Sequence, residues 1–362
     1  MKNKLRVAIL FGGQSAEHEI SLISARNIVH SMDKKKYDIV SIAIDKRGRW
    51  FYDPGARLLR RSETQKVDAS QAGRSIALAP GFQRSSLIRL SSRRAVKQVD
   101  IVFAVLHGPL GEDGTVQGLL KLANLPFVGA GVLGSAVGMD KDVMKRLLRD
   151  AKIPVAKFLV FAQGDRLDWA RVKRMVGLPF FVKPANLGSS VGISKVKSRS
   201  EFQRAVKQAF RFDRKILIEE NIHGREIECS VLGNDEPLAS LPGEIVTRHE
   251  FYSYDAKYID EKGAQLIIPA KLPKAVVRKI QECAIRAFQA LCCQGMARVD
   301  FFLRGKDEIL VNEINTIPGF TKISMYPKMW EASGISYADL IDRLIQLALE
   351  RCAKEKKLKT SV

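Results

Sequence analysis

The first 32 residues of this chain constrain its fold more strongly than any other stretch. A mostly apolar run over residues 5–10 stops at Gly12-Gly13, and apolar residues then recur with helical spacing over residues 20–32. A strand, a glycine turn and a helix in this order are typical of the start of an open parallel α/β sheet. Further strands are predicted at residues 37–44 and 99–106. We therefore expect a first α/β domain that ends near residue 128.

Length and composition indicate a globular protein with more than one domain. The chain has 362 residues, 46% of them hydrophobic and 27% charged, and this length usually exceeds one hydrophobic core. The apolar run at residues 7–11 is too short for a signal peptide, and no stretch approaches the roughly 18 apolar residues of a membrane-spanning helix. The five Cys lack paired C-x-x-C spacing, which indicates neither a zinc site nor a disulfide framework. We expect a cytoplasmic protein with no membrane insertion.

The strongly basic composition leaves two interpretations open. Lys and Arg number 60 against 39 Asp and Glu, and the net charge is +21. This charge would suit either nucleic-acid binding or a basic surface that holds polyphosphate and other anionic substrates. The basic residues are scattered and are not interleaved with aromatic residues, as a base-stacking surface requires. We therefore expect no nucleic-acid partner, whereas salt-dependent DNA binding without ATP turnover would favour the other interpretation.

The rest of the chain alternates predicted strands and helices, with one exception. Residues 55–98 are polar, rich in Ser, Arg and Gln and weakly periodic, and are predicted to form a variable excursion with some strands. A short strand is predicted at residues 126–129, and an amphipathic helix with an acidic start at residues 140–151. Toward the C-terminus, strands are predicted at residues 226–232, 298–303 and 308–313, and helices at residues 274–291 and 337–354.

A glycine-serine turn lies between two predicted strands, in Val182-Lys-Pro-Ala-Asn-Leu-Gly-Ser-Ser-Val-Gly192. Glycines allow backbone N–H groups to close on phosphate oxygens, and Lys183 can add a positive charge at the end of the preceding strand. The Walker A pattern G-x-x-x-x-G-K-[ST] is absent. Phosphate binding and an ordinary hairpin turn therefore remain alternatives for this segment.

Acidic and amide side chains alternate along two predicted C-terminal strands, in Arg298-Val-Asp300 and Glu313-Ile-Asn315. Residues i and i+2 of a strand point to the same face. If a turn at residues 304–307 makes the two strands hairpin neighbours, three oxygen ligands and one guanidinium converge. Mg²⁺ prefers such oxygen ligands and usually shares them with substrate phosphates. A solvated edge hairpin is the alternative, but the apolar opposite face of both strands favours a metal site.

Two further segments are candidates for substrate contact. The Pro-Gly turn within residues 316–325 can present N–H groups to an oxyanion, or it can be a linker. Residues 12–21 follow the first strand, where α/β sheets bind small ligands. An acidic side chain there would suit a substrate ammonium, although Glu17 or Glu19 could instead favour the helix N-terminus through its dipole.

Seven motifs, taken in order, resemble those of the D-alanine–D-alanine ligases of the ATP-grasp superfamily. They are Gly12-Gly-Gln-Ser-Ala-Glu17, Leu106-His-Gly-Pro-Leu-Gly-Glu-Asp-Gly-Thr115, Gly138-Met-Asp-Lys141, residues 183–192, Tyr254-Asp-Ala-Lys-Tyr258, Arg298-Val-Asp300 and Glu313-Ile-Asn-Thr-Ile-Pro-Gly319. The resemblance covers residues 5–349 apart from 55–98. It implies an N-terminal open parallel α/β substrate-binding domain (1–128), followed by a two-part ATP-grasp fold with antiparallel sheets. The two parts would be a central subdomain (129–222) and a C-terminal catalytic and metal-binding domain (223–362).

The resemblance also implies roles for individual residues. ATP is expected to contact Lys141, Lys183, Gly188, Ser190, Glu219, Glu220, Ile222 and Glu226, with the backbone of residues 219–222 reading the adenine. Two Mg²⁺ or Mn²⁺ ions are expected on Asp300, Glu313 and Asn315. The expected catalytic residues are Glu17, Ser189, Lys257, Tyr258, Arg298 and Gly319. Substrate contacts are expected from Glu17, His107, Ser324 and Met325, and an ordinary strand-end histidine is the alternative for His107.

The implied activity is ATP-dependent ligation of two D-alanine molecules to D-alanyl-D-alanine for peptidoglycan precursors. The carboxylate of the first D-alanine would attack the γ-phosphate to form D-alanyl phosphate, and the amine of the second would then displace phosphate. D-Lactate or D-serine as second substrate is the alternative, but Tyr258 has the Ala-Lys-Tyr context of dipeptide-forming members. Where the family often has His, this chain has Ile323. The family also suggests a homodimer.

Overall fold

Three sheets of four to six strands form the framework of the protein. The computed structural model describes residues 4–60, 74–79, 87–92, 94–96, 98–247 and 264–359. The strands of the three sheets lie within residues 5–105, 158–220 and 225–315. Each of these ranges falls inside one of the three expected domains, whose boundaries at residues 128 and 222 stay a prediction.

The first sheet begins with the strand, turn and helix that the sequence predicts. The elements of this region are β1 Leu5–Gly12, α1 His18–Ser31, β2 Tyr37–Ile44, β3 Trp50–Asp53, a 3₁₀ turn Pro54–Ala56, α2 Arg57–Arg60, β4 Ile76–Leu78, β5 Leu87–Arg89, β6 Ile101–Val105 and α3 Thr115–Leu122. The strand order is β3-β2-β1-β6, with β1 parallel to both β2 and β6. β4 and β5 pair with each other in a two-stranded sheet within the expected excursion. The carboxyl ends of β1 and β6 therefore lie at the same edge.

The second sheet is antiparallel throughout. Its region contains α4 Val132–Met139, α5 Lys141–Asp150, β7 Phe158–Ala162, α6 Trp169–Val176, β8 Phe180–Pro184, β9 Ser194–Val196, α7 Arg199–Ala209 and β10 Lys215–Glu220. The strand order is β7-β10-β8-β9. Asp140 starts α5 because its carboxylate accepts hydrogen bonds from the N–H groups of Asp142 and Val143. The glycine-serine turn of the sequence connects β8 to β9.

The third sheet is also antiparallel and contains the predicted C-terminal hairpin. Its region comprises β11 Arg225–Gly233, β12 Leu238–Ala239, β13 Gly243–Thr247, β14 Ala264–Ile267, α8 Lys274–Ala290, β15 Gly295–Arg304, β16 Glu308–Asn315, α9 Met325–Ala332 and α10 Tyr337–Glu355. The strand order is β14-β13-β11-β15-β16, and β12 pairs with β11. β16 is therefore an edge strand of this sheet, and β11 lies beside β15.

Helix α5 precedes the second sheet in sequence but packs on the third. Its apolar residues Met144 and Leu148 belong to the same buried cluster as Val299 and Val311 of the hairpin. The chain then runs alongside β16, where the N–H of Val311 donates to the carbonyl oxygen of Pro154 at 2.8 Å. The N-terminal end of α5 consequently lies at the junction of the second and third sheets.

The C-terminal helix α10 returns to the first sheet. Leu344 and Ile345 of α10 share a buried cluster with Val7 and Ile9 of β1. The guanidinium of Arg351 donates to the carbonyl oxygen of Phe127 at 2.7 Å and also to that of Gly129. The two ends of the chain thus share one core. Among the described ranges, no helix combines the length and the apolar composition needed to cross a membrane.

Several segments differ from the sequence-based expectation: the strands Trp50–Asp53, Gly243–Thr247 and Ala264–Ile267 and the helix Met325–Ala332 were not predicted, and two further differences have a clear physical reason. The strand expected at residues 126–129 is reduced to a single parallel bridge between Phe127 and Val102, because Pro126 has no N–H to extend the ladder. Helix α4 was not expected because its residues are nearly all small or apolar, without an amphipathic pattern. A Cβ on Gly134 would lie 2.6 Å from the carbonyl oxygen of Cys292. Glycine at this position therefore allows close packing of α4.

We expect Leu344→Ala to lower the free energy of unfolding by about 2–5 kcal/mol, because the change leaves a cavity between α10 and the first sheet. Leu344 is 1% exposed, whereas Leu358, beyond the end of α10, is 71% exposed. Leu358→Ala is therefore the matched control and should leave stability within about 0.5 kcal/mol of the parent chain. Urea titrations of the three proteins measure both effects, and equal losses would contradict this packing.

Candidate active site

The hairpin of β15 and β16 gathers four of the polar side chains identified in the sequence. In the antiparallel register, Arg298 lies opposite Asn315 and Asp300 lies opposite Glu313. The residues between them, such as Val299 and Ile314, are buried on the other face. The amide oxygen of Asn315 accepts from the N–H of Ile317 at 3.0 Å, which orients that side chain. The predicted hairpin thus forms, with two carboxylates, an amide and a guanidinium on one face.

Arg298 is held between two carboxylates. Its Nε and one terminal nitrogen donate to the two oxygens of Asp300, both at 2.7 Å. Glu228, on the neighbouring strand β11, lies with Oε2 3.0 Å from Nε of Arg298. Burial lowers the pKa of Arg298, but Asp300 and Glu228 outweigh it and hold that pKa well above its ordinary value. Arg298 is therefore a permanent cation with a fixed orientation.

A buried carboxylate with two ammonium partners lies on the second sheet. Glu219 of β10 is fully buried, and its Oε1 lies 2.7 Å from Nζ of Lys183 on β8. Its Oε2 lies 2.8 Å from Nζ of Lys145 on α5. Burial raises the pKa of Glu219, but Lys145 and Lys183 outweigh it and lower that pKa to about 2. The carboxylate is consequently ionised at neutral pH.

Lys141 connects the glycine-serine turn to the hairpin. Its Nζ donates to the carbonyl oxygen of Leu187 at 2.5 Å and lies 3.8 Å from Oε2 of Glu313. Burial lowers the pKa of Lys141, Glu313 opposes that effect and Lys183 adds to it. A lysine of α5, a backbone carbonyl of the turn and a carboxylate of β16 thus meet at one point.

The glycine-serine turn has the unusual backbone expected of a ligand-binding loop. Ser189 and Ser190 have φ angles of 52° and 59°, in the left-handed region that side chains rarely adopt. A Cβ on Gly188 would lie 3.9 Å from Oε2 of Glu17. The turn therefore lies next to the carboxylate that follows β1.

Three titratable residues lie at the carboxyl edge of the first sheet. Glu17 is nearly buried, and a Cβ on Gly108 would lie 3.5 Å from its Oε2. Nδ1–H of His107 donates to the carbonyl oxygen of Ile317 at 3.0 Å, while its buried Nε2 has no hydrogen-bond partner among the described residues. Burial lowers the pKa of His107, so the ring is neutral near pH 7. Burial and the nearby Glu17 raise the pKa of Glu112 well above its ordinary value.

The Pro-Gly turn leads into the first turn of α9. A Cβ on Gly319 would lie 2.8 Å from Oγ of Ser324, so this glycine allows the hydroxyl to approach the backbone. Oγ of Ser324 accepts from the N–H of Thr321 at 2.9 Å. Met325, the first residue of α9, is buried, whereas Ile323 is 62% exposed. The turn is thereby fixed beside the end of β16.

A cavity of about 100 Å³ lies between the glycine-serine turn, the second sheet and the hairpin. It is lined by residues that include Lys141, Lys183, Gly188, Ser190, Glu226, Asp300 and Glu313. Glu219 lies behind Lys183. Glu220, whose N–H donates to the carbonyl oxygen of Lys157, and Ile222 lie at the connection from the second to the third sheet and do not line the cavity. A larger cavity of about 440 Å³, between the end of α5 and α6, contains none of the expected site residues.

Two of the expected catalytic residues, Lys257 and Tyr258, lie outside the described residues. Three polar residues of the site were not identified from the sequence: Lys145, Glu228 and Glu112. Lys145 follows Lys141 by four residues, on the helix face that also carries Met144 and Leu148. A lysine on an apolar helix face is a signal that could have identified it. Glu228 follows Glu226 on the same face of a strand, and Glu112 lies inside one of the quoted motifs.

Comparison with known proteins identifies the family. Models of the D-ala D-ala ligase N-terminus and C-terminus match residues 6–130 and 147–346. The chain belongs to the D-alanine–D-alanine ligase family. It is 52% identical over 361 residues to the D-alanine–D-alanine ligase of Oceanobacillus iheyensis, and the match covers 99% of each chain.

Solved structures of this family share the fold over nearly the whole chain. The ligase from Coxiella burnetii is 44% identical, with a TM-score of 0.87 over 98% of this chain and 96% of that one. The VanG D-Ala:D-Ser ligase from Enterococcus faecalis is 35% identical, with a TM-score of 0.83 over 96% and 100%. The Bacillus anthracis ligase complexed with ATP is 28% identical, with a TM-score of 0.74 over 98% and 100%. The mixed α/β architecture is thus the ATP-grasp fold.

We expect Glu219→Gln to lower the free energy of unfolding by about 3–5 kcal/mol at pH 7, because two buried ammonium groups lose their carboxylate. The pKa of this carboxyl falls from an ordinary 4.5 to about 2 on folding. Its stabilisation is therefore present above about pH 4.5 and is lost as the pH falls toward 2. Denaturant titrations of both proteins between pH 7 and pH 3 measure the difference.

The matched control for this change is Glu308→Gln, which removes a carboxylate from the exposed pair with Arg304 at the tip of the hairpin. That variant should unfold at the same denaturant concentration as the parent chain. If the free energy of unfolding lost in Glu219→Gln stayed constant down to pH 3, the pH dependence of stability would not come from the ionisation of Glu219.

Proposed function

We propose that this ligase joins two D-alanine molecules to D-alanyl-D-alanine, with ATP converted to ADP and phosphate, for peptidoglycan precursors in the cytoplasm. The observation that carries the proposal is that the hairpin carboxylates and two buried lysines, Lys141 and Lys183, line one cavity of a family member, next to Glu17. Lysines suit the phosphates of a nucleotide, and an acidic group suits the ammonium of an amino acid. The proposed three-domain division and a homodimer are part of this proposal.

Nucleotide binding would use the cations at the junction of the second and third sheets. Lys141 and Lys183 would hold the phosphates, and the turn at Gly188 and Ser190 would close over them with its N–H groups. Glu226 lines the same cavity and would bind the ribose hydroxyls. The backbone at residues 219–222 would read the adenine. The Bacillus anthracis relative, solved as a complex with ATP, supports ATP as the nucleotide.

The hairpin donors fit divalent cations that bind together with a nucleotide. Asp300, Glu313 and Asn315 supply hard oxygen donors from cross-strand neighbours, as Mg²⁺ or Mn²⁺ prefers. The described residues hold no cluster of three or more His, Cys, Asp and Glu groups for a metal, so these donors would be completed by phosphate oxygens. When bound, such ions neutralise negative charge on the phosphates during transfer. Two Mg²⁺ ions held by these three residues are the arrangement that we propose.

The first D-alanine would bind at the edge of the first sheet. Glu17 would pair with its ammonium, and Ser189 and Tyr258 would orient Glu17. His107 is neutral, and its Nε2 can accept a hydrogen bond from the substrate. The substrate carboxylate would then attack the γ-phosphate of ATP, giving D-alanyl phosphate and ADP. Lys257 would contact the phosphate during transfer when its loop closes.

The second D-alanine would bind beside the Pro-Gly turn. Ser324 and the backbone of Met325 would hold its carboxylate, at the start of α9 where helix N–H groups favour an anion. Its amine would attack the carbonyl carbon of D-alanyl phosphate, and phosphate would leave. Arg298 and the N–H of Gly319 would stabilise the negative oxygen of the tetrahedral intermediate. The two carboxylates that hold Arg298 fix its orientation before the substrates arrive.

We expect phosphate release from ATP and Mg²⁺ to require D-alanine, because L-alanine or no amino acid leaves the Glu17 site without a correctly oriented carboxylate. D-Alanyl-D-alanine should be the product by mass spectrometry. The similarity to the VanG D-Ala:D-Ser ligase makes D-serine the relevant competing acceptor, together with D-lactate. Incorporation of D-serine would identify a D-serine ligase. An ester with D-lactate at pH 7 that gives way to dipeptide at pH 9 would identify a D-lactate ligase, because an ester-forming enzyme should lose to the amine at high pH.

We expect Glu313→Gln to abolish turnover while leaving the fold intact, because a neutral amide is a weaker ligand for a divalent ion than a carboxylate. Asp307→Asn is the matched control, because Asp307 lies at the tip of the same hairpin and pairs with Lys279 on the surface. Coupled phosphate-release assays and circular dichroism of both variants test this expectation. Full activity of Glu313→Gln would remove Glu313 from the catalytic site.

A further inference from the structure

Lys145 is a buried cation that the proposed mechanism does not use. Its side chain is 1% exposed, and its Nζ lies 2.8 Å from Oε2 of Glu219. The same ammonium donates to the carbonyl oxygen of Asn312, next to Glu313, at 3.1 Å. A charge at such depth costs folding free energy unless it is paired. The position of Lys145 is therefore a specific feature of the site.

The three charged groups of this cluster, Glu219, Lys145 and Lys183, differ in their access to the cavity. Glu219 binds Lys183 through Oε1 and Lys145 through Oε2. Lys183 lines the cavity, whereas Lys145 does not. Two ammonium groups and one carboxylate leave a net charge of +1, and Lys183 is the member that presents this charge to the cavity.

Without Lys145, the carboxylate of Glu219 would hold Lys183 in place but would also weaken the attraction of Lys183 for a phosphate. An ion pair of Lys183 and Glu219 fixes the position of the ammonium, yet its net charge is zero. A phosphate in the cavity would then be attracted by Lys183 and repelled by Glu219, whose Oε1 lies only 2.7 Å from Nζ of Lys183. A second ammonium on the other oxygen removes that repulsion without displacing Lys183.

We propose that Lys145 is a positioning residue, which neutralises Glu219 so that Lys183 presents a full positive charge to the phosphates of the nucleotide. The proposal rests on nucleotide binding at this cavity, as in the proposed function, and adds a residue that acts through Glu219 rather than by contact. Glu219 thereby fixes Lys183, and Lys145 compensates for the negative charge that this requires.

The test is a double-mutant cycle on the affinity for Mg²⁺ and ATP, measured by calorimetry on the full chain without D-alanine. Lys145→Met should weaken ATP binding by about tenfold or more, because the remaining pair is neutral. In a Glu219→Gln background the affinity lost through Lys145→Met should be regained, because the two changes together restore a net charge of +1 with Lys183 as its only cation. Unchanged affinity of Lys145→Met, or a double variant that binds ATP no more tightly than Lys145→Met, would overturn the proposal.

Lys173→Met is the matched control, because it removes one exposed lysine of α6 and changes the net charge equally. It should bind ATP like the parent chain. A merely structural role for Lys145 would lower stability without this selective effect. For Lys145→Met we therefore also expect a raised KM for ATP with an unchanged KM for D-alanine, and equal increases in both values would contradict the assignment.

Two further results separate the possible failures. If the parent chain itself does not bind Mg²⁺ and ATP, the proposed function fails, whereas normal binding by Lys145→Met overturns only this inference. If Glu219→Gln alone does not fold, we compare Lys145→Met with the double variant Lys145→Met/Glu219→Gln. The double variant has one unpaired cation fewer than Glu219→Gln. Tighter ATP binding by the double variant supports the proposal, and equal or weaker binding refutes it.

Discussion

The register of one antiparallel hairpin determines the chemistry that this site can perform. Asp300 faces Glu313 and Arg298 faces Asn315 because Val299 and Ile314 must be buried on the opposite face. A slip of one residue would exchange the two faces and bury the carboxylates. The hydrophobic core of the third sheet therefore determines the register, and the register determines which polar side chains meet on the opposite face.

Packing across the sheets is the second constraint. Helix α5 packs on the third sheet, although its N-terminal lysines pair with groups of the second sheet, the turn and the hairpin. The contacts of Lys141 with Leu187 and Glu313 therefore depend on how the second and third sheets are placed. A shift between these sheets would alter the contacts of Lys141 with the turn and with the hairpin together.

The sequence predicted the structural features that arise from patterns within a short stretch of the chain. Alternation along the strands and the short turn at residues 304–307 were enough to anticipate the hairpin, and the β1 turn and α1 follow from spacing. Features that depend on packing were missed. Helix α4 lacks an amphipathic pattern because its exposed residues Val132 and Leu133 are apolar like its buried ones, and the role of Lys145 depends on a partner 74 residues away in sequence, Glu219. Glu228 needed the pairing of β11 with β15, which no local pattern specifies.

The charges of the site explain why nucleotide and metal should bind together. Four cations, Lys141, Lys145, Lys183 and Arg298, are each within 4 Å of one of the carboxylates Glu219, Glu228, Asp300 and Glu313. These groups are balanced, so the excess positive charge of the chain lies elsewhere. A polyphosphate alone would face Asp300 and Glu313 as well as the lysines, and divalent ions alone would face the lysines and Arg298 as well as the carboxylates. Only a nucleotide together with its metal ions brings negative charge to the cations and positive charge to the carboxylates of the site. In the proposed function, this favours joint binding of the nucleotide and its metal ions.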